Sequence, residues 1–188
     1  MDIISTKLKE VKVIVPKVFG DDRGWFMETY NHQKFIDQDI NCDFIQDNHS
    51  FSKEIGTLRG LHFQKAPFAQ AKLVRCTKGK IFDVAVDIRK NSPTYLEWVG
   101  VELTEENKKQ LFIPRGFAHG FVTLSEDVEV QYKVDNVYSP ENDRSIIWND
   151  SNINIDWPIN ENVILSEKDK NAKSIIDTDN NFIYGEQI

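Results

Sequence analysis

Cysteine is scarce in this chain of 188 residues: Cys42 and Cys76 stand alone and no CxxC pair exists. That argues against a disulfide framework and against a zinc site built on thiolates. No stretch comes near the ~20 consecutive apolar residues that a membrane-spanning helix needs. Met1 to Glu10 mixes polar with apolar residues and lacks the apolar core of a secretory leader. The expectation is a soluble, cytoplasmic protein with no membrane partner. Basic charge is in deficit, with 23 Lys and Arg against 30 Asp and Glu and a net charge of −7. That balance argues against a nucleic-acid partner held through its phosphates. It leaves room for a small anionic ligand gripped by a few local arginines and lysines. Linkers, repeats and low-complexity tracts are missing too. With 40% hydrophobic and 28% charged residues, the chain has the material for one domain over 1–188 with its own core.

What is present is a period of two. Val11 to Val15 reads as a strand stopped by Pro16, and Phe19 to Gly24 as a turn leading into Trp25 to Glu28. Asn31 to Gln38 is the one helix expected in the first half, with Asn31 as its N-cap. Further strands are expected over Phe44 to Ser50, Leu58 to Gln64, Ala71 to Thr77, Ile81 to Ile88 and Leu96 to Leu103. Three more follow, over Leu111 to Pro114, Gly120 to Leu124 and Val128 to Val134. Lys78-Gly79-Lys80 has the composition of a tight hairpin turn and Asn91 to Thr94 that of a loop. Many short strands without alternating helices imply an all-β sandwich or barrel. The tail, 150–188, is expected to fold back over the sheets, with a short helix near Glu167 to Ile176.

One stretch does not sort cleanly. In Thr57-Leu58-Arg59-Gly60-Leu61-His62-Phe63-Gln64, simple alternation puts Leu58, Gly60, His62 and Gln64 on one face and Arg59, Leu61 and Phe63 on the other. A strand mixed in this way lines a polar cavity or is buried on both faces. Of the four histidines, His32 and His49 read as surface or hydrogen-bonded structural residues. His62 and His119 keep more telling company. Pro114-Arg115-Gly116-Phe117-Ala118-His119 fits the PxGxxH pattern of the second cupin motif, and Gly60 to Gln64 takes the position of the first. Metal-binding cupins carry HxH and then a Glu in that first motif, whereas Gln64 stands here for the second histidine and no Glu follows before Lys78. Catalytic zinc or iron usually takes three protein ligands, so no metal is expected. The expectation is a cupin-type jelly-roll barrel or sandwich with a few short peripheral helices and a polar cavity.

Alternation adds further members. Lys72 shares a face with Val74 and Cys76, and Asp83 with Ile81 and Ala85; charged groups in core-like strands are costly to bury unpaired. Lys72 on an edge strand facing solvent is the plainer alternative, but the surrounding Leu73, Val74, Phe82 and Val84 speak for a covered sheet. Tyr132 and Tyr138 bracket a turn at the same end. A histidine, a lysine and a tyrosine around a dry cavity form a coherent set for proton transfer beside a carbonyl: one removes a carbon-bound proton, one stabilises the enolate oxygen, and one returns a proton.

The chain resembles the dTDP-4-dehydrorhamnose 3,5-epimerase family from about Lys12 to about Asp169. The blocks that carry the resemblance are Phe19 to Glu28, Gln46 to Ser50, Gly56 to Gln64, Asp83 to Arg89, Pro114 to Phe121, Tyr138 to Glu141 and Ile164 to Asp169. The resemblance implies His62 as catalytic base, Asp169 as the carboxylate that orients it, Lys72 at the enolate and Tyr132 as the returning acid. It implies that Gln46, Asn48, Arg59, His119 and Lys168 hold sugar hydroxyls and diphosphate, and that Tyr138 lies near the nucleotide. Arg23 and Glu28 match nucleotide contacts that the family draws from the neighbouring subunit through an exchanged N-terminal strand, which implies a homodimer with shared sites. The substrate implied is a dTDP-4-keto-6-deoxyhexose, epimerised without a cofactor at both carbons flanking the ketone. Single-carbon epimerisation of a related sugar and non-catalytic binding of a sugar nucleotide are the alternatives. Asp143 stands where the family commonly has glutamate, one methylene shorter, and Lys168 where some members have arginine, a point charge in place of a fork. Since the family places both Arg59 and His62 at the substrate, a bend at Gly60 is expected to bring them to one side.

Overall fold

A computed structural model describes residues 1–159 and 162–186; of the expected tail, residues 160, 161, 187 and 188 lie outside the described residues. The first strands are β1 (Asp2–Ser5), β2 (Lys12–Val15), β3 (Val18–Asp21) and β4 (Gly24–Met27), followed by helix α1 (His32–Ile36). Then come β5 (Gln46–Ser52), β6 (Leu58–Gln64), β7 (Lys72–Lys78), β8 (Lys80–Asp87) and β9 (Trp98–Thr104). The last strands are β10 (Gln110–Ile113), β11 (Phe117–Thr123), β12 (Val128–Val134) and β13 (Asp143–Ser145), with helix α2 (Glu167–Lys170) near the end. One sheet has six strands in the order β1-β2-β10-β7-β12-β5, and a second has five in the order β13-β6-β11-β8-β9. The pairings within both sheets are antiparallel. The fold is the all-β sandwich that the period of two implied, and it is cupin-like, as the two motifs led one to expect.

Alternation decides what each face buries. Val74 and Cys76 of β7, Val128 and Val130 of β12, Ile81 and Ala85 of β8 and Phe121 of β11 meet in one cluster between the sheets. Side chains of this size contribute roughly 1.5–3 kcal/mol each when fully buried. The outer face of the five-stranded sheet, with Leu58, Leu61, Phe63, Val84, Val86 and Val122, is covered by Ile153, Trp157, Ile175 and Phe182 of the tail. On the outer side of the other sheet, Ile14, Leu73 and Phe112 pack against Phe35 of α1 and against Ile40 and Cys42.

Several local expectations change. Lys78-Gly79-Lys80 is not a hairpin: β7 and β8 belong to different sheets, and the chain turns a corner between them. Gly79 has φ 77°, and a Cβ there would stand 2.6 Å from Ser125 Oγ, so the corner demands glycine. Phe19 to Gly24 is mostly strand, because β3 and β4 pair as far as Asp21 opposite Gly24 and leave only Asp22 and Arg23 to turn. The Asp21 carboxylate accepts from the Arg23 N–H at 2.9 Å, a side-chain closure that tightens the turn. Asn31 does cap α1, accepting from Lys34 N at 3.2 Å, but the helix stops at Ile36. The tail helix is shorter than expected and ends at Lys170.

Candidate active site

The cavity lies where the two sheets part, lined by strands whose inward positions turn polar. On β5 the inward series is Gln46, Asn48, Ser50 and Ser52, opposite Val134, Tyr132, Val130 and Val128 of β12. On β6 the inward residues are Arg59 and His62, and the geometry answers the sorting puzzle in the sequence. His62 stands opposite His119 of β11 and Arg59 opposite Phe121, so Gly60 and Leu61 together face only Gly120. This is a β-bulge, and it switches the faces of the strand. Leu58, Leu61 and Phe63 go to the outer core while Arg59 and His62 line the same cavity. A Cβ at Gly60 (φ 132°) would lie 2.5 Å from Gly120 Cα, so no side chain fits where the strands cross. The expected bend at Gly60 is there, in the form of this bulge.

The cavity has two lobes, of about 260 and 500 Å³. The smaller is bordered by Gln46, Asn48, Tyr138, Asp143 and Lys168, and the larger by Arg59, His119 and Asp169. His62, Lys72 and Tyr132 border both, and so form the waist between them. His62 Nε2 lies 2.5 Å from Asp169 Oδ1. An ionised carboxylate only accepts, so Nε2 carries a proton, and in the neutral ring it is Nδ1 that holds the lone pair. Asp169 is held in turn by Ser166, the N-cap of α2, whose hydroxyl donates to Oδ2 at 2.8 Å. Burial would push the Asp169 carboxyl up, but the hydrogen bonds from His62 and Ser166 outweigh it and hold the pKa below the usual aspartate value.

Burial pushes the Lys72 ammonium down to about 8, against the opposing pull of Asp143 and Asp83 and with a further push from Lys168. Burial raises the Tyr132 phenol, with Arg59 opposing. Burial also lowers His119, although its Nε2 stands 2.7 Å from Asp83 Oδ1. Lys168 Nζ bridges to Asp143 Oδ2 at 2.5 Å, joining α2 to β13 across the smaller lobe, and the Tyr138 hydroxyl reaches the same oxygen at 3.3 Å. Gln46 donates to Asn48 at 2.9 Å. Arg59 is fastened to Ser52 Oγ at 3.1 Å and to the Phe51 carbonyl at 3.0 Å.

Eleven of the thirteen residues singled out in the sequence thus border this cavity. Arg23 and Glu28 do not. Arg23 sits at the exposed tip of the β3–β4 hairpin, paired with Asp21, and Glu28 is bonded to Lys34 and Asn31. The same hairpin exposes Phe19, Trp25 and Phe26. Sequence reasoning gave no role to Ser166 or Asp83; an aspartate in phase with Ile81 and Ala85 was the available signal for the second. Gln64, in place of the second motif histidine, ties loops together: it donates to the carbonyls of Phe68 and Val137 and accepts from Ser139 N at 2.7 Å. Among the described residues no group of three or more His, Cys, Asp or Glu side chains is placed to hold a metal ion, and no helix is long and apolar enough to cross a membrane.

Comparison with known proteins is consistent across the chain. The profile of the dTDP-4-dehydrorhamnose 3,5-epimerase family matches residues 5–177. A dTDP-4-dehydrorhamnose 3,5-epimerase of Shigella flexneri is 53% identical over 181 residues, covering 95% of this chain and 98% of its own. One of Salmonella typhimurium is 56% identical over 173 residues, covering 92% and 94%. The crystal structure of the dTDP-6-deoxy-D-glucose-3,5-epimerase of Legionella pneumophila with dTDP-4-keto-L-rhamnose superposes with a TM-score of 0.90 at 47% identity, covering 93% of each chain.

Proposed function

The chain belongs to the dTDP-4-dehydrorhamnose 3,5-epimerase family, and from that footing we propose how its cavity works. The protein is an isomerase that inverts both carbons flanking the ketone of dTDP-4-dehydro-6-deoxy-D-glucose, giving dTDP-4-dehydro-L-rhamnose for rhamnose biosynthesis. The ketone itself acidifies the neighbouring C–H bonds, so the electron sink is in the substrate.

His62 Nδ1 takes a proton from the carbon beside the carbonyl, and Asp169 stabilises the imidazolium that forms. The Lys72 ammonium steadies the enolate oxygen, and the Tyr132 phenol returns a proton from the opposite face. The protonated lysine and phenol sit in a site where burial strengthens their electrostatic effect. Once His62 has given its proton to solvent and Tyr132 has regained one, a second round at the other flanking carbon completes the conversion. Gln46, Asn48, Arg59 and His119 hold sugar and diphosphate oxygens, Lys168 and Asp143 flank the smaller lobe, and Tyr138 lies along the base. Arg23 and Glu28 reach the cavity of a second copy of the chain, giving a homodimer of single-domain, cytoplasmic subunits whose sites are shared.

The observation that supports this reading most is that, among the described residues, His62, Lys72 and Tyr132 alone border both lobes, with the His62–Asp169 pair behind them. Product analysis by NMR tests it. Incubation with dTDP-4-dehydro-6-deoxy-D-glucose should yield a sugar inverted at both flanking carbons. Inversion at one carbon would replace this reading with a single-carbon epimerase, and an unchanged sugar would leave only binding.

A further inference from the structure

Asp83 is a buried carboxylate with no part in the scheme above. It lies in β8, fully buried, on the face that carries Ile81 and Ala85 into the core between the sheets. Its Oδ1 is 2.7 Å from His119 Nε2, while its Oδ2 is buried with no hydrogen-bond partner among the described residues. An apolar residue of similar size would be far cheaper to bury, and a lone carboxylate oxygen in a core calls for an explanation. The pair repeats the arrangement of His62 and Asp169 on the neighbouring strand, since His62 and His119 stand directly opposite each other in the sheet.

A carboxylate only accepts, so the bond fixes the proton on Nε2 of His119 and leaves Nδ1 with its lone pair. The surroundings give the Asp83 charge a second consequence. The groups facing Lys72 are Asp143 of β13, Lys168 of α2, His62 of β6, Tyr132 of β12, and Asp83 with its partner His119. Asp143 is engaged by Lys168 at 2.5 Å. Burial keeps His119 from charging easily, and Asp83 opposes the downward push of burial on Lys72.

We propose that Asp83 is a positioning residue of this site, holding His119 as a single tautomer with Nδ1 open to the substrate. The kinetic consequences rest on the epimerase reading; the tautomer of His119 does not.

The variant Asp83→Asn keeps the size and an oxygen for His119 Nε2–H but removes the charge. It should lower kcat by about tenfold or more near neutral pH with KM little changed. The alkaline limb of the kcat profile should also move to lower pH by about one unit, because Lys72 loses one of its two supporting carboxylates. Kinetic constants and a pH profile equal to those of the wild type would overturn the proposal. Imidazole ¹⁵N NMR of the wild-type protein without substrate gives an independent readout. His119 protonated on Nε2 and bare on Nδ1 between pH 6 and 8 is the expected result. Protonation on Nδ1, or a mixture of tautomers, would overturn the proposal even if Asp83→Asn failed to fold. A wild-type protein inactive on the dTDP sugar would count against the epimerase reading and leave the NMR result to decide the role of Asp83.

Discussion

His62 Nε2 and Asp169 Oδ1 stand 2.5 Å apart although 107 residues separate them in the chain. The bond joins a bulged strand to a helix of four residues, and Asp169 is held there by the Ser166 cap. A dyad so assembled orients the imidazole and stabilises its charged form at the moment it takes a proton.

Asp169→Asn should therefore lower kcat by about a hundredfold while leaving KM close to wild type, as expected for an interaction that strengthens only in the transition state. Ser166→Ala, which frees one oxygen of the same carboxylate and removes the cap of α2, should cost less in kcat and about 1 kcal/mol in stability. Steady-state kinetics and thermal unfolding of the two variants check both. An Asp169→Asn enzyme as fast as wild type would take Asp169 out of the mechanism.

Lys72 gives the reaction an alkaline limit. Its pKa is lowered to about 8 by burial, and its charged form is the one that steadies the enolate. On the alkaline side the rate should thus fall as pH rises through about 8. Lys72→Met should lower kcat strongly at every pH and abolish this limb. A profile flat to pH 10 would show that the ammonium is not needed.

Tyr132 divides exchange from inversion. If it returns the proton from the face opposite His62, Tyr132→Phe should still wash the substrate proton into solvent while net inversion falls by about a hundredfold or more. Solvent exchange and product formation, followed in one sample by NMR, separate the two steps. Equal losses in both would assign Tyr132 to binding instead.

The exposed hairpin predicts complementation. Arg23→Ala should raise KM for the dTDP sugar without unfolding the chain, since the side chain is bonded only to Asp21 among the described residues. Mixed with His62→Ala subunits, each variant being weak alone, it should recover up to about a quarter of wild-type activity, because half the dimers are mixed and each then holds one intact site. No recovery after subunit exchange would place Arg23 and His62 in the same chain's site or in none.

Much of this was legible in the sequence because polar residues interrupt strands where packing alone would not put them. His62 among Leu61 and Phe63 and Lys72 beside Leu73 and Val74 each mark an inward polar position, whereas Gln46 and Asn48 stood out only through the family resemblance. Other features were hidden because they arise only when distant strands meet. The bulge at Gly60 depends on its close approach to Gly120 across the sheet, and alternation counted along β6 put Arg59 and His62 on opposite faces. Lys78-Gly79-Lys80 has the same local chemistry whether it closes a hairpin or carries the chain from one sheet to the other, and only the pairing of β7 with β10 and β12 decides. Asp83 was visible as an aspartate in a core strand, but its role depends on His119, 36 residues on.

The central claim is that this cavity takes and returns carbon-bound protons through His62. The most direct test is turnover of dTDP-4-dehydro-6-deoxy-D-glucose in heavy water by the wild-type protein and by His62→Ala, with deuterium located by NMR. Wild type should place deuterium at both carbons flanking the ketone, and the folded His62→Ala variant at neither. Exchange by His62→Ala at the wild-type rate, or none by the wild type, would contradict the account.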